Sequence, residues 1–475
     1  YGNYEFSREC ITNRDRMFDC PQNLREEEMF EVPEWAANKV VYQIFPSRFA
    51  ATEPVDKELW YKAPITPMDD LHGNLRGIIE HMDDIQNLGI DVLYMTPIFQ
   101  SNSCHKYDTT DYYQIDPSFG TTEDLKELVQ KAHERGMKVV LDAVYNHTGR
   151  EFFAFADILE NGEKSKYRDW YFIDGFPLKS EWGEIPNFKC FGYYGGMPKL
   201  NLKNPEVEKY ITDVACYWIK ECDIDGWRLD VGDEISHFFW KNFRKAVKAV
   251  KKDMLIIGEI WHYAGDFLEG DEWDTVMNYP FYLNLIDLLA DEKITVSQFV
   301  QNLGYLKGRL HKNCYPLMWN LIDSHDTARF LHLCNDNKKK QHLAAAFQLL
   351  LPGMPMIYYG DEYAMPGAND PDCRRGMYWD EEYQDKEMYE WYKRLIQVRK
   401  SHACIVEGEL AGSVTEDEEG TVVLIRKNGE ETIAMIFNCS SSAKKFNEYT
   451  QKYNLLTENT FDGNVEGFDA AVIVL

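Results

Sequence analysis

The feature that most constrains the fold of this chain is a regular alternation, from Val40 onward, of short apolar runs and amphipathic helical segments. Parallel β/α units produce this pattern, because each buried strand is joined to the next by a helix that covers the sheet. Eight such units predict an α/β fold, a closed (β/α)8 TIM barrel. The eight strand-like runs are VVYQIF, DVLYMTP, MKVVLDAVYN, IDGWRLDV, LIIGEIW, TVMNYP, LMWNLIDSHD and MPMIYYGDE.

Two regions depart from this alternation. Residues 147–203, rich in aromatic residues and glycine, separate the third strand from its helix, and so long a connection predicts an inserted subdomain. After His402, short alternating runs are separated by turn signals such as NG and DG, which predicts a C-terminal antiparallel β-sandwich. The predicted domains are an N-terminal arm or remnant of a β-domain at 1–38, the barrel at 39–146 and 204–402, the inserted subdomain at 147–203 and the β-sandwich at 403–475.

The charge and cysteine content exclude several classes of protein. With 79 acidic residues against 51 Lys and Arg, the net charge of -28 repels nucleic acids and anionic membrane surfaces. No run approaches the roughly 18 to 20 apolar residues of a membrane helix. The 11 cysteines are scattered and include no C-x-x-C pair, which argues against a disulfide framework and favours a reducing cytoplasm. We therefore expect a cytoplasmic protein without nucleic-acid or membrane partners.

Polar and charged side chains recur at the ends of four of the predicted strands. An acid at one strand end is usually a salt-bridge or capping residue, but agreement among four strands indicates a shared site. Barrel enzymes gather their catalytic groups at the C-terminal ends of the strands. The residues are Asp142, Asn146 and His147 after strand three, Arg228, Asp230 and Glu234 after strand four, Glu259 after strand five, and His325 and Asp326 after strand seven.

Three carboxylates, an arginine and two histidines suit the cleavage of a glycosidic bond through an oxocarbenium-like transition state. Arg228 lies two residues from Asp230 on the same strand face, which favours the anion that a nucleophile requires. Glu259 lacks a cation nearby in sequence and has Trp261 on its strand face, so it suits the general acid. Asp326 is then left to stabilise the transition state.

Four stretches of this chain resemble the signature regions of the α-amylase family, in the same order and one per strand. They are DAVYNH, GWRLDVGDE, GEIW and LIDSHD, and the similarity runs from about Pro33 to the C-terminus. The resemblance implies a retaining glycoside hydrolase with Asp230 as nucleophile, Glu259 as acid/base and Asp326 as stabiliser. The supporting residues that it implies are Arg228, His147 and His325, a stacking ring at Tyr107, and a donor-side pair of Asp370 and Arg374.

Two further stretches, MPKLN at 197–201 and HKYDTTDYYQIDPSFG, resemble the neopullulanase, cyclomaltodextrinase and maltogenic amylase subgroup. The resemblance implies action on α-1,4 bonds of maltodextrins and cyclodextrins, action on some α-1,6 bonds, and transglycosylation. It places Glu234 and Trp261 beside the acceptor subsites. The chain departs from the subgroup at Asp233, where asparagine is common. The subgroup also carries a dimer-forming N-terminal β-sandwich, and only some 38 residues precede the first strand here, so either that domain is absent or the sequence begins inside its end. We expect a monomer or a weak oligomer.

The sequence also bears on the cofactor requirement and on alternative functions. Many α-amylases bind calcium through the asparagine that matches Asn146, but this subgroup often lacks that site. We expect no required cofactor, with calcium at Asn146 as a weak candidate. The sequence leaves open an oligo-1,6-glucosidase, a glucanotransferase or a plain α-amylase. A catalytically inactive sugar-binding relative is the non-enzyme alternative, although such relatives usually lose a carboxylate and all three are present here.

Overall fold

Eight parallel strands form the centre of the molecule. The computed structural model describes residues 30–179 and 185–475. The strands pair in the order β6-β5-β4-β3-β2-β1-β8-β7, and a parallel bridge between Met277 and Trp319 brings the two outer strands together. The predicted barrel is therefore confirmed. The strands are β1 Val41–Ile44, β2 Val92–Met95, β3 Lys138–Ala143, β4 Gly226–Leu229, β5 Leu255–Gly258, β6 Thr275–Val276, β7 Trp319–Asn320 and β8 Met354–Tyr358.

Side chains of the barrel strands alternate between two apolar clusters. Val41 and Val140 point into a cluster inside the barrel, whereas Tyr42, Val139 and Leu141 join the larger cluster between the sheet and the helices. The alternation follows from the two-residue period of a strand. Because both faces are covered, polar side chains are costly along the strands and collect where the strands end.

Two of the helices show sequence signals that are typical of helix ends. Thr121 forms a capping box with Asp124 at the start of one helix, and Gly89 ends another with φ 101°. The α-helices are Pro46–Phe49, Lys57–Trp60, Leu75–Glu80, Met82–Leu88, Thr122–Glu134, Phe153–Asn161, Pro205–Cys222, His237–Val250, Tyr279–Leu285, Val296–Arg309, Phe330–Leu333, Lys338–Leu350, Lys386–Ser401 and Cys404–Glu407, and a π-helical turn spans Ile286–Ala290.

The fifth unit departs from the regular pattern. Between β5 and β6 the chain forms the 3-10 turn Gly265–Phe267 instead of an α-helix. This connection is short and contains Gly265 and Gly270, and glycine disfavours helix. The other 3-10 turns are Glu34–Ala36, Gly162–Lys164, Arg168–Trp170, Phe191–Tyr193, Gly232–Glu234, Tyr315–Leu317, Asp361–Tyr363, Asp372–Arg374 and Asn447–Tyr449.

Two additions flank the barrel. After β3, the inserted region lies over the C-terminal ends of the strands, where isolated antiparallel bridges pair His147 with Lys199 and Cys190 with Pro198. A hairpin of Phe99–Ser101 and Thr109–Ile115 follows β2. The C-terminal sheet contains Glu409–Glu416, Thr421–Asn428, Glu431–Asn438, Asp469–Val474, Tyr453–Asn454 and Asn459–Thr460, and a second layer pairs Lys444–Lys445 with Asn464–Val465.

The C-terminal layers enclose a small apolar core of their own. Ala434 and Ile436 of the six-stranded antiparallel sheet pack with Phe446 and Val465 of the two-stranded layer. The antiparallel C-terminal architecture is confirmed, and the domain boundaries stay predictions. Of the predicted N-terminal arm, residues 1–29 lie outside the described residues. In the described part of the chain, no helix combines the length and apolar character needed to cross a membrane.

Candidate active site

A cleft of 440 Å³ opens at the C-terminal ends of the barrel strands. It brings together most of the predicted site residues with a few that the sequence did not single out. Because His147, Phe191 and Met197 of the inserted region line it together with barrel residues, the cleft lies between that region and the barrel. The lining residues are His105, Tyr107, His147, Phe191, Met197, Asp230, Val231, Glu259, Trp261, Asp326, Asp370 and Arg374.

Arg228, fully buried at the end of β4, is shared by four carboxylates at the floor of this cleft. Its Nη1 donates hydrogen bonds of 3.0 Å to both oxygens of Asp142 and to Asp230 Oδ1. Its Nη2 lies 2.9 Å from Glu259 Oε2 and 3.9 Å from Asp326 Oδ2. One positive charge is therefore shared by carboxylates from four different strands.

Burial, reinforced by the neighbouring carboxylates, raises the pKa of two of these acids. Burial raises the pKa of Asp230 well above its usual value, and although Arg228 acts in the opposite direction, Glu259 and Asp142 add to the rise. Burial also raises the pKa of Asp142 to about 6, against Arg228 and Tyr94. Arg228 does favour the Asp230 anion, as predicted, but burial and the carboxylates of neighbouring strands act in the opposite direction and raise the pKa of Asp230.

Glu259 differs from the sequence prediction in one respect. No cation lies near it along the chain, but in the fold Arg228 reaches it from the adjacent strand. Its Oε2 also accepts a hydrogen bond of 2.9 Å from the amide of Val231, which holds the left-handed φ of 48° that is unusual for a β-branched residue. Oε1 accepts from the Trp261 indole at 3.1 Å, and that ring stacks on Tyr279. Oε1 is thus the oxygen that is not held by Arg228.

Asp326 lines the cleft next to the predicted donor-side pair. Arg374 forms an ion pair of 2.8 Å with Asp370 and lies 3.4 Å from Asp326 Oδ1. The Arg374 Nε donates to the backbone carbonyl of His325 at 2.8 Å, which fixes the direction of the guanidinium. The structure therefore places Asp370 and Arg374 beside Asp326.

His325 contacts both Tyr107 and Asp326. Gln43 Nε2 lies 2.7 Å from His325 Nδ1, and His325 Nε2 lies 3.2 Å from Asp326 Oδ1. The Tyr107 hydroxyl donates to Asp142 at 3.0 Å, and its ring is parallel to that of His325. Burial, reinforced by Arg374 and Arg228, lowers the pKa of His325 well below its usual value, so its ring is neutral near pH 7.

His147 forms the wall next to the inserted region. Its Nε2 lies 3.0 Å from the carbonyl oxygen of Tyr107, and its ring stacks on Phe191. Burial lowers the pKa of His147 to about 4, so that the ring is neutral over the range in which most glycosidases work. A neutral ring in contact with the backbone is a fixed hydrogen-bonding wall and not a titrating group.

Comparisons with known proteins agree with this geometry. Residues 43–408 match the family model described as alpha amylase, catalytic domain. The chain belongs to the α-amylase family. It is 45% identical to a cyclomaltodextrinase of Geobacillus thermopakistaniensis, over 93% of this chain and 76% of that protein. It is 42% identical to neopullulanase 2 of Thermoactinomyces vulgaris, over 87% of this chain and 72% of that protein.

A solved structure extends the comparison to the fold. A cyclomaltodextrinase structure superposes with a TM-score of 0.89 at 38% identity, over 94% of this chain and 79% of that one. The resemblance to the α-amylase family and to its cyclomaltodextrinase and neopullulanase subgroup is therefore confirmed. The chain is accordingly a glycosidase of this family.

The sequence suggested Asn146 as a calcium ligand, but the residues around it do not fit a calcium ion. The Asn146 Oδ1 accepts a short hydrogen bond from the ammonium group of Lys199, which also lies 3.2 Å from Glu234 Oε2. Glu234, the predicted acceptor-side residue, also receives a 3.3 Å hydrogen bond from Asn146. A lysine already supplies the positive charge, and elsewhere in the described residues no group of three or more His, Cys, Asp or Glu could hold a metal.

Several residues of the site were missed from the sequence. Asp142 was noted at a strand end without a role, yet it binds Arg228, Tyr94 and Tyr107. His105 and Phe191 line the cleft from loops, where no periodicity marks them. Both could have been found from the motifs beside them, because His105 precedes Tyr107 in HKYD and Phe191 precedes MPKLN.

Proposed function

We propose that this chain is a retaining hydrolase of α-1,4-glucosidic bonds in cyclodextrins and maltodextrins, with some action on α-1,6 bonds and on sugar acceptors. The observation that carries the proposal is the sharing of one guanidinium by Asp230 and Glu259. The two carboxylates contact different amino groups of Arg228, at 3.0 and 2.9 Å. Closely spaced carboxylates, about 5 to 5.5 Å apart, are the arrangement required for retention, because no water has to fit between nucleophile and sugar.

In the first step Asp230 attacks the anomeric carbon. An ester bond forms between an Asp230 oxygen and that carbon while the glycosidic C–O bond breaks, and the departing oxygen takes a proton from Glu259. Glu259 Oε1 suits this transfer, since Oε2 is held by Val231 and Arg228. Arg228 lies beside Asp230 and stabilises the carboxylate before the attack.

In the second step water displaces Asp230 from the anomeric carbon of the sugar. As the water oxygen bonds to the anomeric carbon, Glu259 accepts a proton from the water. The bond between the anomeric carbon and the Asp230 oxygen breaks, which restores the Asp230 carboxylate. When the hydroxyl of a second sugar attacks instead, the same step gives transglycosylation. Asp326 accepts hydrogen bonds from hydroxyls of the distorted sugar in both steps, and Arg374 and His325 orient it.

The binding residues divide into two sides. We propose that Tyr107 stacks against the sugar at the bond to be cleaved, that Asp370 and Arg374 bind the donor end, and that His147 binds hydroxyls there. Trp261 and Glu234 would bind the acceptor. Trp261 is 41% exposed although it stacks on Tyr279, which leaves apolar surface for a sugar.

A product profile and a trapping experiment test the proposal. The wild-type protein should hydrolyse a cyclodextrin and maltotriose with a higher kcat/KM than soluble starch, and should release the α-anomer. A maltosyl fluoride given to the Glu259→Gln variant should leave a glycosyl ester on Asp230, detectable by peptide mass spectrometry. A higher kcat/KM on starch would indicate a plain α-amylase. A higher kcat/KM on pullulan or isomaltose would indicate an oligo-1,6-glucosidase, and no turnover of any of these sugars would indicate a sugar-binding relative.

We further propose that the protein acts in the cytoplasm on oligosaccharides without a cofactor. In the described part of the chain, the nine cysteines are all free thiols, as expected in a reducing compartment. The net charge of -28 makes nucleic acid and anionic membranes unfavourable partners. The oligomeric state, monomer or weak oligomer, stays a prediction that sedimentation at several concentrations would test.

A further inference from the structure

A hairpin loop of the inserted region projects from the wall of the cleft. The bridge between Cys190 and Pro198 closes the loop at its base, and the Phe191 amide donates to the Met197 carbonyl at 3.0 Å. Both Phe191 and Met197 line the cleft. Residues 192–196, which we call the rim loop, therefore extend outward from two residues that already face the substrate.

The rim loop presents Tyr193 to solvent. Its side chain is 91% exposed, the most exposed aromatic residue in the described part of the chain. Tyr193 has φ 58° and follows Gly192 with φ 56°, so two successive left-handed residues turn the loop. Glycine or asparagine would adopt this conformation with less strain than tyrosine. A large aromatic side chain is thus held in water by a backbone that it does not favour.

The rest of the rim loop is packed in a way that supports this position. Tyr194 lies over Gly196, where any Cβ would collide with the tyrosine ring. The amide of Tyr194 donates to Phe191 at 2.9 Å, and that of Met197 donates to Tyr194 at 3.0 Å. The loop is therefore internally hydrogen-bonded on both sides of Tyr193. Tyr194 is itself 46% exposed, but Tyr193 is the ring that this ordered loop presents most fully to solvent, and it is therefore preorganised to bind a partner.

We propose that Tyr193 is a further sugar-binding residue, which stacks on a glucose unit of the α-glucan beyond those held in the catalytic cleft. The inference rests on the proposed function and adds an outer subsite to it. The occupant follows from continuity with the cleft, since the loop begins and ends at cleft-lining residues. The apolar face of a pyranose fits an aromatic ring, as it does at the other aromatic residues of carbohydrate sites.

Chain-length dependence tests the outer subsite. We would measure kcat/KM of the wild type, Tyr193→Asn and Tyr193→Phe on maltotriose and maltoheptaose. Asparagine keeps the left-handed backbone without the ring, and phenylalanine keeps the ring. Tyr193→Asn should lose about tenfold on maltoheptaose and less than about twofold on maltotriose, since a stacking contact is worth up to that factor. Tyr193→Phe should behave as the wild type on both sugars.

The controls separate the two proposals from one another. Tyr453→Asn, at a tyrosine of the C-terminal sheet that is 48% exposed, should leave both sugars unaffected. Binding of both sugars to Glu259→Gln, with and without Tyr193→Asn, should show the same length dependence in Kd. Equal losses on the two sugars, no loss, or a change in sedimentation without length dependence would overturn the outer subsite. A wild type that cleaves neither sugar would overturn the proposed function instead.

Discussion

The two ends of strand β4 carry buried aspartates in opposite electrostatic surroundings. Asp225, just before the strand, lies 2.7 Å from His133, 3.0 Å from Lys138 and 2.9 Å from Lys251. Asp230, just after it, shares its one arginine with three other carboxylates. At the first end two lysines and a histidine face Asp225 and the exposed Asp223, whereas at the second end four carboxylates share one arginine.

The pKa values of the two aspartates diverge accordingly. Burial alone would raise the pKa of Asp225, but the hydrogen bonds from His133 and Lys251 lower it well below its usual value. Burial raises the pKa of Asp230, and the surrounding carboxylates keep it raised. Residues at the N-terminal end of a barrel strand thus stabilise the fold, whereas those at the C-terminal end are left with unbalanced charge that suits chemistry.

The largest expected effect separates the two aspartates by function. Asp230→Asn should lower kcat by about four orders of magnitude or more, because the amide cannot form the glycosyl ester. Asp225→Asn should leave kcat within about threefold of the wild type, because it lies at the other end of β4. The measurement is kcat on maltotriose at a temperature where circular dichroism shows both variants folded. Comparable losses in kcat would break the comparison.

The second effect concerns the shared arginine. Arg228→Lys should lower kcat/KM by about two to three orders of magnitude, because one ammonium cannot replace two amino groups that contact Asp142, Asp230 and Glu259 together. Melting temperature and kcat/KM are the readouts. Lys251→Arg, at the opposite end, serves as the control and should leave kcat/KM unchanged. Near wild-type turnover of Arg228→Lys would show that charge alone is sufficient.

Sequence reasoning predicted the barrel and the main site residues for a physical reason. Strand periodicity and strand-end polarity are local properties, so the eight strands and the strand-end positions of Asp230, Glu259 and Asp326 could be predicted without a structure, whereas their catalytic roles stay predictions. The contact between Arg228 and Glu259 could not be found, since it joins neighbouring strands whose residues are far apart in sequence. Cations near Glu259 could be counted from the sequence only along the chain, and not across the sheet.

The inserted region was harder to predict than the barrel. Its length and composition indicated a subdomain, and the MPKLN stretch indicated nearness to the sugar. The Lys199 contact with Asn146, which removes the calcium candidate, depends on a hairpin without a periodic pattern. The missing helix of the fifth unit was also not predicted, because the eightfold pattern was counted from its strands.

The third effect is on stability at the N-terminal end. Asp225→Asn should lower the free energy of unfolding by about 1 to 3 kcal/mol at pH 7, because the charge partner of Lys138, Lys251 and His133 is lost from a buried position. Chemical denaturation of both proteins at pH 7 gives the difference. Lys209→Gln, which breaks the exposed ion pair with Asp213, serves as the control and should lower the free energy of unfolding by less than about 0.5 kcal/mol. Equal costs would contradict the assigned role of Asp225.

The smallest effect is the pH dependence of stability, which should have opposite signs at the two ends. Asp225 has a lowered pKa, so its contribution is present above the unfolded-state pKa of about 4 and is lost as the pH falls below it. Asp142 has a pKa raised to about 6, so the folded state binds its proton more tightly than the unfolded state does. Its contribution is present below pH of about 4 and is lost as the pH rises through about 6.

Isosteric variants isolate these two slopes. The free energy of unfolding of the wild type minus that of Asp142→Asn should fall between pH 4 and pH 7, by about 1 kcal/mol or more. The same difference taken with Asp225→Asn should be flat over that range and should fall only below a pH of about 4. Urea denaturation at half-unit pH intervals provides both curves. Parallel curves would mean that the carboxylates at the two ends of the barrel experience the same electrostatic surroundings. That result would contradict the contrast between the N-terminal end, where basic groups offset Asp225, and the C-terminal end, where carboxylates outnumber Arg228.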